Sequence, residues 1–341
     1  MTIPNGKGFF AWQIKAISGG DMQQIAAEAW LLGLAHASVK VANGVNSYNL
    51  RLGLFDDYIP ALQAALAPIG VESTGWVYVY GDNPAGEARK AIERAKKFNL
   101  KSLIVDAEAE YKQAGKASAA LAYMKALRAG LPGVSVGLSS YRYPSLHPEF
   151  PWREFLFLTD YYVPQVYWAK AHNPAAQLDQ TIWEYRALEH RFGLPEKPIL
   201  PAGAAYHEGG WQPTLAEIDE FDAHARALGL PGVLWWEWGH AQRYGFINTI
   251  AAHPWPTPVP RPPAEDSPLE ARVTADALNV RSGPGTNYAI TGSARKGEIR
   301  TITAIRYDAG RNEWLCVGKL PARWICSVYG ASRLAELVYG A

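Results

Sequence analysis

The chain is poor in cysteine, with only Cys316 and Cys326 among its 341 residues. Two thiols cannot build a disulfide framework, nor a zinc site on their own. No His-x-x-x-His or His-Glu-x-x-His spacing exists, so neither a metal site nor a cofactor is expected. Apolar runs are short: none approaches the ~18 uninterrupted residues of a membrane-crossing helix. Residues 1–14 lack a basic stretch followed by an apolar one, so no Sec signal is read there and synthesis in the cytoplasm is expected. Charge of one sign is scarce too. The formal net charge is +1, which argues against a chain built to bind nucleic acid. No Gly-x-Gly-x-x-Gly follows the first strand candidate, and no Gly-x-Ser-x-Gly marks an esterase.

What the chain has in quantity is aromatic: 13 Trp and 18 Tyr. Hydrophobic residues make up 48% and charged residues 19%, enough to bury a core and to exclude wholesale disorder. Indoles and phenols fill cores; they also cover sugar rings, whose C–H faces are apolar and whose edges are polar. Seven of the 24 prolines fall between 254 and 268. Proline at that density feeds neither a helix nor a central strand and favours an extended spacer. The chain therefore divides into a first domain (1–252), a Pro-rich linker (253–269) and a tail (270–341). The tail carries ten lysines and arginines against six acids, a mild bias toward an acidic polymer.

The first domain alternates short β-branched and aromatic runs with amphipathic ones. Strand candidates are 9–14, 37–41, 73–79, 102–106, 134–138, 162–166, 198–202 and 232–236. Helices read clearly at 21–32, after an Asp cap, at 84–98, opening on Pro, at 118–129, and at 214–228 with Thr214 and Glu217 in capping-box spacing. Eight β-then-α units in this length predict a (β/α)8 TIM barrel. The tail reads as all-β. Its Ala277-Leu278-Asn279-Val280-Arg281-Ser282-Gly283-Pro284-Gly285-Thr286 string, with Lys296-Gly297-Glu298, Trp314 and Trp324 downstream, resembles a bacterial SH3-type domain. That resemblance implies a small SH3-like barrel holding its bearer on the bacterial cell wall, or docking to another protein. Trp314-x-Cys316 and Trp324-x-Cys326 fall on candidate neighbouring strands, where two buried thiols are expected and a bridge is the alternative.

In such a barrel, chemistry gathers where the strands end. Strand four ends Val105-Asp106-Ala107-Glu108-Ala109-Glu110-Tyr111. Alternation puts Asp106, Glu108 and Glu110 on one face. Crowded carboxylates cannot all ionise cheaply, so at least one pKa should rise, and a raised acid beside an ionised partner suits glycosidic bond cleavage. Strand six offers Gln165 and Tyr167 to the same space, and strand eight offers Trp236, with Glu237 on the opposite face. Trp12 and Gln13 on strand one, Lys40 and Asn43 on strand two, Ser139, Tyr141 and Arg142 on strand five and Tyr206, His207 and Glu208 on strand seven are weaker candidates. Lys40, inside a strand, needs a partner, for which the acidic cluster is the candidate.

Asp106-x-Glu108 resembles the D-x-E signature of family-25 lysozymes. Gln165-x-Tyr167 and Trp236 resemble the matching strands of family-18 chitinases. The strings D-A-E-x-E-Y, P-Q-x-Y-W and W-W-x-W are most similar to those of uncharacterised bacterial glycoside-hydrolase-like barrels. The resemblance implies that Glu108 is the acid and Asp106 its partner. A second register, D-x-D-x-E-Y of the chitinases, would make Glu110 the acid. Two departures stand out: strand one carries no Asp, and the middle Asp of the chitinase register is Glu108 here. Together these features predict an endolysin-like hydrolase, muramidase- or N-acetylglucosaminidase-like, that cuts a β-1,4 bond in peptidoglycan. Glu108 and Asp106 are its catalytic residues, and Gln165, Tyr167, Trp236, Trp12, Lys40 and Tyr141 its substrate-binding ones. Its partners are wall glycan and peptide, with no nucleic acid and no membrane span, and it acts at the wall after release or delivery. The alternative is a non-catalytic glycan-binding or structural component of a phage tail or contractile injection particle.

Overall fold

The computed structural model describes residues 3–51, 56–255, 269–302, 304–308, 310, 312–319, 322–330 and 332–339. Residues 256–268, within the expected linker, lie outside the described residues.

Eight strands run parallel: β1 (Gly6–Ala11), β2 (His36–Asn43), β3 (Glu72–Val79), β4 (Ser102–Ala107), β5 (Ser135–Tyr141), β6 (Tyr161–Val166), β7 (Ala202–Ala204) and β8 (Gly232–Trp236). Each pairs with the next, and β1 pairs with both β2 and β8, so the sheet closes into a (β/α)8 barrel. Closure needs glycine at one place. Gly232 lies opposite Gly6, and a Cβ on Gly232 would collide with the Gly6 backbone.

Strand alternation builds two cores. Phe10, Trp76, Ile104, Tyr161, Val163, Leu200, Ala202 and Leu234 fill the barrel itself. Their sequence neighbours, such as Phe9, Val77, Leu103, Val105, Tyr162, Val233 and Trp235, face the outer helices. Those helices are α1 (Met22–Leu31), α2 (Ile59–Leu66), α3 (Pro84–Lys97), α4 (Lys116–Gly130), α5 (Trp152–Leu156), α6 (Pro174–Phe192), α7 (Leu215–Ala227), α8 (Trp238–Tyr244) and α9 (Ile247–Ala251). The caps read from sequence are present: the Asp21 carboxylate accepts from Gln23 and Gln24 N–H, and Thr214 and Glu217 form a reciprocal box.

Two strand expectations shift. β1 ends at Ala11, because Ile14–Ala16 turns as a 3-10 helix and moves Trp12 and Gln13 into the loop above. β7 spans Ala202–Ala204 rather than 198–202, preceded by one isolated bridge between Tyr162 and Ile199. Pro198 and Pro201 have no N–H to give to a ladder.

The tail is antiparallel β: β9 (Leu269–Val273), β10 (Ala277–Arg281), β11 (Ile290–Arg295), β12 (Ile299–Thr301), β13 (Ala304–Tyr307), β14 (Glu313–Lys319), β15 (Ala322–Tyr329) and β16 (Ala335–Tyr339). One sheet orders β12-β9-β16, the other β11-β10-β15-β14-β13. Ala271, Val273, Leu278, Val280, Leu315 and Ile325 form its core. Cys316 lies opposite Trp324 and Cys326 opposite Trp314; both thiols are buried and neither is in a disulfide.

The tail rests on α1. Ala27 is buried in the tail's core, and Arg333 donates to the Asp21 carboxylate (3.2 Å) and to Gln24 Oε1 (3.0 Å).

Candidate active site

Two residues beyond the barrel's apolar filling, on the same inward face, the chain changes character. Phe10 gives way to Trp12, Ile104 to Asp106, Val163 to Gln165, and Leu234 to Trp236. There the strand ends enclose a cavity of about 420 Å³ lined by Trp12, Asp106, Glu108, Ser139, Gln165, Tyr167, Tyr206, His207, Glu208, Trp236 and His240. Ten of the residues singled out from sequence thus meet at one place: Asp106, Glu108, Gln165, Tyr167, Trp236 and Trp12, with the weaker candidates Ser139, Tyr206, His207 and Glu208.

One amide joins the two acids. Gln165 Nε2 donates to Asp106 Oδ1 (3.1 Å) and Glu108 Oε1 (2.8 Å), with Ser139 Oγ at 3.4 Å. Two oxygens sharing one donor at these distances lie within about 6 Å of each other. Asp106 is 5% exposed, which matters because burial is the main cause lifting its carboxyl well above the usual range. The charge of Glu108 lifts it further, while Ser139, Lys40 and Gln165 pull it down. Burial also raises Glu108, reinforced by the Glu110 charge and opposed by Gln165 and Lys40. A proton is therefore retained between the two at a pH where free carboxyls have lost theirs.

In the same cavity, the indoles of Trp12 and Trp236 stack at 6.2 Å between ring centroids, 27° apart in plane. Trp236 meets Phe10 and Trp76 edge-on, which fixes its tilt from below. Tyr167 meets Tyr206 edge-on at 5.3 Å. Glu237 turns the other way and caps α8, accepting from the N–H groups of Gly239 and His240.

Glu110, Tyr141 and Lys40 stand apart from the cavity lining, as do the weaker candidates Gln13, Asn43 and Arg142. The strand ends at Ala107, so Glu110 leaves the alternating face and enters the 3-10 turn Ala109–Lys112, where the Tyr78 hydroxyl donates to its Oε2 (2.8 Å). The Tyr141 ring is stacked on His147 at 3.6 Å and covered by Lys112. Lys40 Nζ sits 4.6 Å from the ring centroids of Tyr48 and Trp76 and 5.6 Å from Tyr78. Its partners are thus three aromatic faces, and among the described residues no carboxylate lies within ion-pair distance of it. Burial lowers its pKa to about 8, against the pull of Asp106 and Glu108.

Sequence reasoning did not single out His240 or Tyr78. Tyr78 was within reach of the same alternation rule, two positions beyond the interior Trp76. His240 sits on α8, where no strand periodicity points to it. Among the described residues no group of three or more His, Cys, Asp or Glu side chains could hold a metal ion, and no helix is long and apolar enough to cross a membrane.

No family model matches the chain, and no curated protein matches it in sequence. Solved structures do match. Active domain 2 of a thermostable chitinase from Pyrococcus furiosus, complexed with chito-oligosaccharides, is 14% identical with a TM-score of 0.53, over 69% of this chain and 84% of that one. A chitinase from Bacteroides thetaiotaomicron is 10% identical at 0.54, over 73% and 96%. An endo-β-1,4-mannanase from Thermotoga petrophila is 8% identical at 0.53, over 98% and 97%. At these identities the likeness is one of fold.

Proposed function

We propose that this chain is a glycoside hydrolase that cuts β-1,4 bonds in an N-acetylated glycan, with peptidoglycan as its substrate. The observation that carries the reading is the Gln165 amide shared by Asp106 and Glu108 in a half-enclosed, indole-lined cavity. Similarity of fold to chitinases and a mannanase supports it.

The spacing of the acids limits the chemistry. Inverting enzymes need roughly 6.5–9.5 Å between carboxyls to admit a water. Asp106 and Glu108 are closer and stand side by side at one strand end, so neither flanks the sugar from the far face. The fitting mechanism uses the substrate's own acetamide. Glu108 gives its proton to the leaving glycosidic oxygen as the C–O bond breaks. The acetamide carbonyl oxygen bonds to the anomeric carbon, and Asp106, with Tyr167, orients that group and balances its growing positive charge. Water then attacks the same carbon, displaces the acetamide oxygen and returns a proton to Glu108, so configuration is retained.

In this reading residues 1–252 form the hydrolase, 253–269 the linker, and 270–341 an SH3-type module that holds the enzyme on wall glycan or peptide. It acts at the wall after release or delivery.

Turbidity loss of purified cell walls, with product masses, tests the proposal. Wild type should release fragments whose new reducing ends mark a β-1,4 cut, and Glu108→Gln should release none while melting normally. Equal lysis by that variant refutes the assignment. Firm binding without fragments from wild type selects the glycan-binding particle component, a reading favoured by the acid-free β1.

A further inference from the structure

A second cavity, about 630 Å³, lies in the seam between barrel and tail. Trp12, Gln24 and His240 line it from the barrel side, and Glu313, Val328 and Arg333 from the tail. Trp12 and His240 also line the cavity that holds the acids, so the two spaces share a wall.

The seam is built rather than incidental. Ser18, in the loop before α1, is held by Gln242, whose Oε1 accepts from the Ser18 N–H (3.0 Å) and whose Nε2 donates to Ser18 Oγ (2.8 Å). The same Nε2 reaches the Glu28 carboxylate. Arg333 fixes the amide of Gln24 by donating to its Oε1. Gln24 is 4% exposed, and its Nε2 has no hydrogen-bond partner. His240 Nδ1 is likewise buried without one. An unsatisfied buried amide costs stability, and a polar cleft wall is where a ligand acceptor relieves that cost.

The chemistry of the wall selects the ligand. Its two buried carboxylates are engaged inside the protein: Glu237 caps α8, and Glu313 accepts from Ser327. Arg333 already faces Asp21. What remains is an indole, an amide donor short of an acceptor, an imidazole and the Arg243 guanidinium, which lies against the Tyr244 ring; an apolar face ringed by donors receives a sugar ring with hydroxyl and acetamido edges.

We propose that the seam is a distal saccharide subsite, so that a single glycan chain runs from the acid pair across Trp12 and His240 and into the cleft closed by the tail. The inference rests on the glycosidase reading above. It gives the tail a share in the substrate cleft besides any wall anchoring.

The test is calorimetric, on the full chain carrying Glu108→Gln so that ligands stay intact, with chitotriose and chitohexaose as probes. Chitohexaose should bind at least about tenfold tighter than chitotriose. Gln24→Leu, which removes the donor, and Val328→Trp, which fills the cleft from the tail side, should each abolish that gain and leave chitotriose affinity unchanged. Melting curves establish folding, and if one variant unfolds the other carries the result. Equal affinity of the two probes in the parent, or a gain that survives the substitution in a folded variant, overturns the subsite while the acid pocket stands. Absence of binding by either probe overturns both readings.

Discussion

Replacing Gln165 by leucine tests the site at its junction. The side chain keeps its bulk but loses the amide that donates to both acids. A hydrogen bond to a charged group contributes roughly 1.5–3 kcal/mol. If the bond to Asp106 persists as charge develops on the substrate, its loss costs about ten- to a hundredfold in kcat/KM. The pH profile carries the sharper signature. Gln165 pulls both carboxyls down against burial, so removing it moves both upward. The proposed mechanism uses the protonated form of Glu108, so the limb where activity falls with rising pH should move to higher pH. A merely structural residue would lower activity and leave that limb in place. The assay is kcat/KM against pH on a soluble chito-oligosaccharide, with melting temperature as the folding control. An unmoved limb, or undiminished activity, refutes the assignment of Gln165 as the positioning residue.

Two further predictions concern stability. Arg94 and Asp57 form a buried pair with both side chains 2% exposed, and the guanidinium also donates to the carbonyls of Val41 and Tyr48. Arg94→Met should destabilise the barrel by about 3 kcal/mol in urea unfolding, because it leaves the buried Asp57 carboxylate with Lys97 as its one remaining cation and the Val41 and Tyr48 carbonyls without their donor. Burial pushes Asp57 upward, and its bonds from Arg94 and Lys97 more than reverse that, so the pair's contribution is full above the ordinary Asp pKa and fades as pH falls through the depressed one. Asp106 behaves oppositely. Its raised carboxyl makes the fold less stable as pH climbs from the ordinary carboxylate range toward the raised value. Asp106→Asn should therefore raise Tm at neutral pH, by about 2–4 °C for each kcal/mol relieved, and leave Tm unchanged in acid; a fall at neutral pH contradicts it.

The barrel was legible because its signals are local. Asp21, Pro84 and the Thr214–Glu217 box mark helix starts, and β-branched runs between them leave one arrangement for eight strands. The acid pair was legible because it sits at the end of a buried strand, Asp106 within it and Glu108 just past it. Glu110 shows where alternation stops carrying information: the rule holds only while the chain stays extended, and nothing in Ala107-Glu108-Ala109 announces the 3-10 turn. The share of His240 in both cavities was illegible because it comes from a helix after β8 and from a tail packed on α1, a long-range arrangement without local code.

Lys40 explains why two acids can keep raised pKa values beside a lysine. An ion pair with Asp106 would have depressed that carboxyl and removed the proton the chemistry needs. Tyr48, Trp76 and Tyr78 instead hold the ammonium by their ring faces, an interaction of about 2 kcal/mol when desolvated. The cation then acts on Asp106 and Glu108 only through space, enough to temper their rise. With its own pKa lowered to about 8, Lys40 discharges just above neutrality, and both acids should then climb further. The wild-type activity profile should show an inflection near that pH, and Lys40→Met should erase it. Since no hydrogen bond joins Lys40 to the acids, the variant should lose less than about tenfold in kcat/KM, below the Gln165→Leu loss. An inflection that survives in Lys40→Met assigns it to another group and breaks the link between the aromatic cage and the acids.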